Sequence, residues 1–114
     1  MNLEIVRERY LKDTVPKRIG ALAANLARIS SFSKDANNLK LIRSLLGESE
    51  HFIEWTVQET AIDLQERLVE MQIQLAVCSY RLDRGQNELH EFSSKFKKWS
   101  QELLEISGLG GRDV

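Results

Sequence analysis

A glutamate followed three residues later by a histidine is the spacing in this sequence that comes closest to metal chemistry. Glu48 and His51 match the Glu-x-x-His pair that di-iron proteins place on each of two bundle helices, beside two further glutamates. The sequence holds no second copy of the pair. Relative to the apolar positions Leu46 and Ile53, both side chains also point to the flank or the outside of a helix. We therefore predict no metal site.

The other nucleophiles and bases lack partners at catalytic spacing. Cys78 lies between Leu75 and Leu82 in an apolar run, where a small thiol packs and is normally inert. His90 follows the apolar Leu89 and falls on the solvent side, with no triad readable from spacing. The GLGG stretch at 108–111 lacks the preceding strand and following helix of a phosphate-binding loop. We predict no cofactor and no enzymatic activity.

Charge is unevenly spread along a chain whose net charge is only -1. Residues 1–34 carry seven basic and three acidic side chains, giving +4, and the other nine basic and fourteen acidic side chains give -5. A nucleic-acid-binding regulatory role is the alternative function, because clustered cations neutralise phosphates, although the net charge argues against it. The candidate basic segment consists of Arg7, Arg9, Lys12, Lys17 and Arg18.

Long helices must carry these residues, and the clearest is predicted over 57–83. Its apolar positions alternate three and four residues apart, which indicates one buried helix face. Thr56 followed by Glu59 matches a capping box, which would begin this helix. The positions of this seam are Ala61, Leu64, Leu68, Met71, Leu75, Cys78 and Leu82.

Similar seams predict helices over 15–31, 35–55 and 86–107, and a short one over 2–12. Asp13 or Thr14 can cap the helix that contains Pro16, Ser33 or Asp35 can cap the next, and Gly85 is suited to a helix end. Short connections favour antiparallel neighbours. We predict an all-α, antiparallel up-and-down four-helix bundle with a short additional N-terminal helix, forming one domain over 1–107, and a flexible tail over 108–114.

Small residues on the helix predicted over 15–31 indicate close packing. Gly20, Ala23, Ala24 and Ala27 would let another backbone approach, and the aromatic helix over 86–107 is the expected neighbour.

A second apolar stripe on the helix over 57–83 goes beyond what a simple bundle needs. It lies roughly 150° from the seam, on the opposite side of the helix. The N-terminal segment could cover it in the same chain, since residues 48–70 hold seven acidic side chains against one Arg67. We favour a homodimer or a small adaptor that binds another protein. The candidate interaction face is Ile62, Val69, Ile73, Ala76 and Tyr80.

The cytoplasm is the expected compartment. A lone cysteine cannot form an internal disulfide, and the first residues lack the apolar run of a signal peptide. No window approaches the roughly 20 apolar residues that a membrane span requires.

Two segments of the middle third of the chain are the stretch from Ser49 to Thr56, SEHFIEWT, and the stretch from Leu68 to Ala76, LVEMQIQLA. Together they resemble small uncharacterised helical proteins encoded by cyanobacteria. The resemblance implies a source, and it implies no activity or ligand.

Overall fold

The computed structural model describes residues 2–86 and 89–107, and in these ranges the chain is helical with no strand. Short 3-10 turns over Ala36–Asn38 and Val57–Glu59 lie in the two central connections. The all-α prediction is confirmed. The α-helices are α1 (Leu3–Leu11), α2 (Val15–Phe32), α3 (Leu39–Thr56), α4 (Ile62–Asp83) and α5 (His90–Ser107).

Polar contacts between helices show that α2 to α5 form an antiparallel up-and-down bundle. The Ser30 hydroxyl of α2 donates to the Ser93 carbonyl of α5, while Ser100 near the other end of α5 donates to the Ala23 carbonyl. Asn25 on α2 reaches Glu48 on α3, Arg43 on α3 pairs with Asp83 on α4, and Arg67 on α4 pairs with Glu102 on α5. Each helix therefore runs opposite to the next, and α5 returns beside α2.

The core lies where the predicted seams meet. On α4 the side chains of Leu68, Met71, Leu75, Cys78 and Leu82 are all buried. On α5 the aromatic residues Phe92 and Phe96 supply bulk, and Leu103 is fully buried. Ile106, at the last turn of α5, is 48% exposed and lies outside the core.

The small residues of α2 form a close contact at one position. Ala23 is fully buried and its carbonyl oxygen lies 2.7 Å from the Ser100 hydroxyl of α5. Ala24 and Ala27 are exposed, so the predicted close packing against the aromatic helix is confirmed at Ala23 alone among these three alanines.

Two helix ends follow local rules. The Thr14 hydroxyl accepts a hydrogen bond from the Lys17 amide and caps α2, with Pro16 in the first turn. At the end of α4, Gly85 has a φ of 79°, and its amide bonds to the Leu82 carbonyl while the Gln86 amide bonds to the Arg81 carbonyl. These bonds form a Schellman motif, which ends α4 as Gly85 predicted.

Other predicted starts were wrong. Asp35 caps the 3-10 turn rather than a long helix, Ser33 stands at the end of α2, and α3 begins at Leu39. Gln86 lies outside α5, which begins at His90. Residues 87–88 and the predicted tail over 108–114 lie outside the described residues.

The predicted capping box at Thr56 and Glu59 was also wrong, and α4 begins at Ile62 instead of 57. The Thr56 hydroxyl donates to the Tyr10 hydroxyl at 3.0 Å, and a Glu59 carboxylate oxygen lies 2.6 Å from the Arg18 guanidinium. Both side chains are therefore used in contacts with distant parts of the chain. None of the described helices is long and apolar enough to cross a bilayer.

Candidate protein interaction face

The outer side of α4 presents an apolar stripe to solvent. At 100° per residue, its positions fall within about 40° of one direction, opposite the buried seam. Ile62 is 70% exposed, Val69 47%, Ile73 57% and Tyr80 60%, and Ala76 is exposed between them. We call these five residues the α4 face. Its length from Ile62 to Tyr80 is about 27 Å at 1.5 Å per residue.

The alternative in which the N-terminal segment covers this face is contradicted, because α1 packs on α3 instead. The ring of Tyr10 stacks on Phe52 with 4.0 Å between centroids, and Tyr10 is buried. Leu3 and Ile5 of α1 are exposed, so neither is buried against α4. Within the described residues, the chain leaves the α4 face open.

Charged side chains of opposite sign lie beside the two ends of the α4 face. Asp63, Glu66 and Glu70 lie in the N-terminal half of α4 and line one depression with Trp99 and Glu102 of α5. Within the described part of the chain none of the three has an ion pair. At the opposite end the Arg84 guanidinium stands over the Tyr80 ring, 5.4 Å from its centroid. The face is therefore acidic at one end and basic at the other.

A shallow groove deepens the acidic end of the α4 face. It has a volume of about 470 Å³ and a mostly apolar lining. A bulky apolar side chain of a bound helix would fit such a groove better than a polar one. Its lining residues are Val57, Gln58, Ile62, Gln65, Glu66 and Val69.

A buried polar cluster that sequence reasoning missed fixes α1 and the connection before α4. The Tyr10 hydroxyl donates to the Arg18 carbonyl at 3.1 Å and accepts from Thr56. The Arg18 guanidinium bonds to Glu59 and to the carbonyl oxygens of Asp13 and Leu11. These polar groups satisfy one another, which is the arrangement of a structural cluster. Burial raises the pKa of Tyr10 to about 12.

The basic segment is broken by the same cluster. Arg18 is only 7% exposed and is paired with Glu59, so its assignment to a nucleic-acid surface was wrong. Arg7, Arg9, Lys12 and Lys17 are exposed. Nucleic-acid binding by these four residues stays a prediction, and Arg18 no longer belongs to the candidate surface.

Residues considered for metal or nucleophilic chemistry have structural contacts. Glu48 accepts a hydrogen bond from Asn25, and the His51 ring stacks on Trp55 with 5.3 Å between centroids. Among the described residues, no group of three potential ligands could hold a metal ion. Cys78 is buried, and burial raises the pKa of its thiol to about 11, which keeps it protonated at neutral pH. His90 is exposed.

Comparisons with protein-family models, curated proteins and solved structures find no match to this chain. The resemblance to cyanobacterial helical proteins stays a prediction.

Proposed function

We propose that this protein is a protein–protein interaction module that binds a helical surface of its partner along the α4 face. The observation that supports the proposal is the exposure of Ile62, Val69, Ile73 and Tyr80 on one side of one helix. Such contiguous apolar surface is typical of an interaction site, whereas single exposed apolar residues are ordinary.

The distribution of exposed apolar residues supports α4 over the other helices. Of the large hydrophobic residues that are exposed in the described ranges, four belong to the α4 face. The others are divided among three helices, and they are Leu3, Ile5, Leu41 and Ile106.

A helix is the partner element that this surface fits best. A straight stripe on one helix buries most area against a second helix laid along it, with apolar residues three and four positions apart. The flanking carboxylates of Asp63, Glu66 and Glu70 favour a partner with cations beside its apolar positions. We propose the cytoplasm as the setting, because Cys78 is a free buried thiol that packs in the core without a disulfide.

The test is differential capture from an extract of the native organism. Immobilised wild type is compared with the double variant Ile73→Glu and Tyr80→Glu, and with Ile5→Glu as the matched control. Ile5 is an isoleucine of similar exposure, 51%, on α1. We expect proteins, or further copies of this chain, that are retained by wild type and by the control and lost from the double variant.

Circular dichroism and urea unfolding accompany this comparison. Both substituted positions are exposed, so the double variant should keep its helicity and unfold within about 1 kcal/mol of wild type. Identical capture profiles for all three proteins would contradict the proposal. Unfolding of the double variant would show that the α4 face is core, and would contradict it as well.

A further inference from the structure

We propose that the α4 face is occupied by the α4 face of a second copy of this chain, with the two α4 helices antiparallel and a two-fold axis at the level of Met71. This inference rests on the proposed function, since it names the partner for the same surface.

The spacing of the four large apolar residues of the α4 face is symmetric about position 71, while Ala76 lies at the level of Glu66 of the second copy. Ile62 lies nine positions before it and Tyr80 nine positions after it, while Val69 and Ile73 lie two positions before and after. A two-fold interface brings the same patch of both copies together, so the patch must complement itself. In the antiparallel arrangement Ile62 meets the partner's Tyr80, and Val69 meets the partner's Ile73.

Charge selects the antiparallel orientation over the parallel one. Asp63, Glu66 and Glu70 lie on one flank of the α4 face. A parallel two-fold pair would set this acidic flank beside the other flank of the partner's α4, where Gln65 and Gln72 lie, so the carboxylates would gain no cation.

In the antiparallel pair the same flanks meet, so Asp63 faces the end of the partner's α4 that carries Arg81 and Arg84. The Arg81 guanidinium also pairs with Glu91 of its own chain, and the two Glu70 side chains lie on either side of the axis. The Arg84 guanidinium already lies over Tyr80, at the edge of the proposed contact.

The size of the contact sets the expected affinity. Stable dimers bury about 800 Å² on each partner, and a single helix stripe about 27 Å long buries less than that. We therefore expect a reversible dimer with a dissociation constant in the micromolar range or above.

Sedimentation equilibrium tests self-association. The apparent mass of wild type should rise from 13.1 kDa in dilute solution towards twice that value as the concentration passes through the micromolar range. Ile73→Glu places a charge next to the axis and should raise the dissociation constant at least tenfold, whereas Ile5→Glu should leave it unchanged. A wild type that stays monomeric at every concentration would overturn the second-copy proposal.

Crosslinking with a short bismaleimide tests the orientation. Gln72 lies one position from the axis, so Gln72→Cys would come within about 3 Å, along the helix axis, of the same residue in the partner. Gln65 lies on the same side of α4, one heptad earlier, and Gln65→Cys would be about 18 Å from its counterpart along that axis. Wild type is the control, because its single thiol, Cys78, is buried.

We expect covalent dimers from Gln72→Cys and none from Gln65→Cys. Equal crosslinking at both positions would indicate parallel helices and overturn the proposed arrangement. Dimerisation without crosslinking at Gln72→Cys would place the interface elsewhere. If wild type is monomeric but differential capture succeeds, the second-copy proposal fails and the proposed function stands.

Discussion

The hydroxyl group of Tyr10 joins three helices at one point. It belongs to α1, donates to the Arg18 carbonyl of α2, and accepts from the Thr56 hydroxyl of α3. Its ring stacks on Phe52, which places the whole side chain in the core. Tyr10 is therefore the buried anchor of the short N-terminal helix, and the Arg18 guanidinium holds the end of the same helix at the Leu11 carbonyl.

Replacing Tyr10 by phenylalanine should destabilise the protein by about 1 to 3 kcal/mol. The ring contacts remain, but the buried Thr56 hydroxyl loses its acceptor and the Arg18 carbonyl, which is inside α2, loses one of its donors, and an unpaired buried hydroxyl is costly. Urea unfolding followed by circular dichroism measures the change. Tyr80→Phe is the matched control, since Tyr80 is 60% exposed and should give no difference.

Alkaline pH should destabilise the protein through the same residue. The pKa of Tyr10 is about 12 in the folded state against 10.0 for the ordinary group, so above pH 10 the unfolded chain loses the proton first. The stabilisation is complete below pH 10 and is lost as pH rises towards 12, by on the order of 2 kcal/mol.

Urea unfolding from about pH 8 to about pH 11 tests this dependence on ionisation. Cys78 adds to the decline from pH 9, because burial raises its pKa from 9.0 to about 11. A Tyr10→Phe chain should show the shallower decline above pH 10. Equal slopes for wild type and Tyr10→Phe would refute the assignment to Tyr10.

At the scale of single elements, two glycines should respond to alanine in opposite directions. Gly85 has a φ of 79° and a methyl group there would meet no atom within 4 Å, so Gly85→Ala should cost about 1 to 2 kcal/mol from backbone strain alone. Gly47 lies inside α3 with equally open space, and Gly47→Ala should stabilise the protein by about 1 kcal/mol. Thermal unfolding measures the change in stability of each variant. Changes in the same direction for both variants would be inconsistent with this explanation.

Residue spacing predicts the buried face and the ends of a helix only where contacts within that helix determine them. The seam from Leu68 to Leu82 is buried as predicted, since its three-and-four spacing is a property of one helix. Thr56 and Glu59 have the local signature of a capping box, but their side chains bond to Tyr10 and Arg18 instead. Contacts with residues 41 to 46 positions away override the local signature, and spacing within one helix does not reveal them.

At the scale of the whole molecule, the contact between α2 and α5 should not tolerate a larger side chain at Ala23. Ala23 is fully buried beside Ser100, so Ala23→Leu should destabilise the bundle by about 1 to 3 kcal/mol through overpacking. Ala24 is exposed on the next position, and Ala24→Leu should change stability by less than about 0.5 kcal/mol. Equilibrium unfolding of both variants decides whether the bundle is tight at this contact.

The bundle topology was predictable because short connections and four apolar seams leave few arrangements. The position of α1 was not predictable. The α4 face is exposed because α1 packs elsewhere. The ring of Tyr10 stacks on Phe52 of α3, and its hydroxyl bonds to Arg18 of α2 and Thr56 of α3, and these contacts across three helices place α1 away from the stripe on α4. The α4 face was identified from sequence as a stripe, and its binding role stays a prediction.

The bonds of Tyr10 also impose an order on biosynthesis. The chain leaves the ribosome amino terminus first, so α1 emerges well before Thr56, which lies 46 positions later. Until α3 has been made and has paired with α2, the Tyr10 ring has no Phe52 to stack on and its hydroxyl has no Thr56 donor. The first helix to be synthesised therefore docks only after the third has been made, and the nascent α2–α3 hairpin is its docking site.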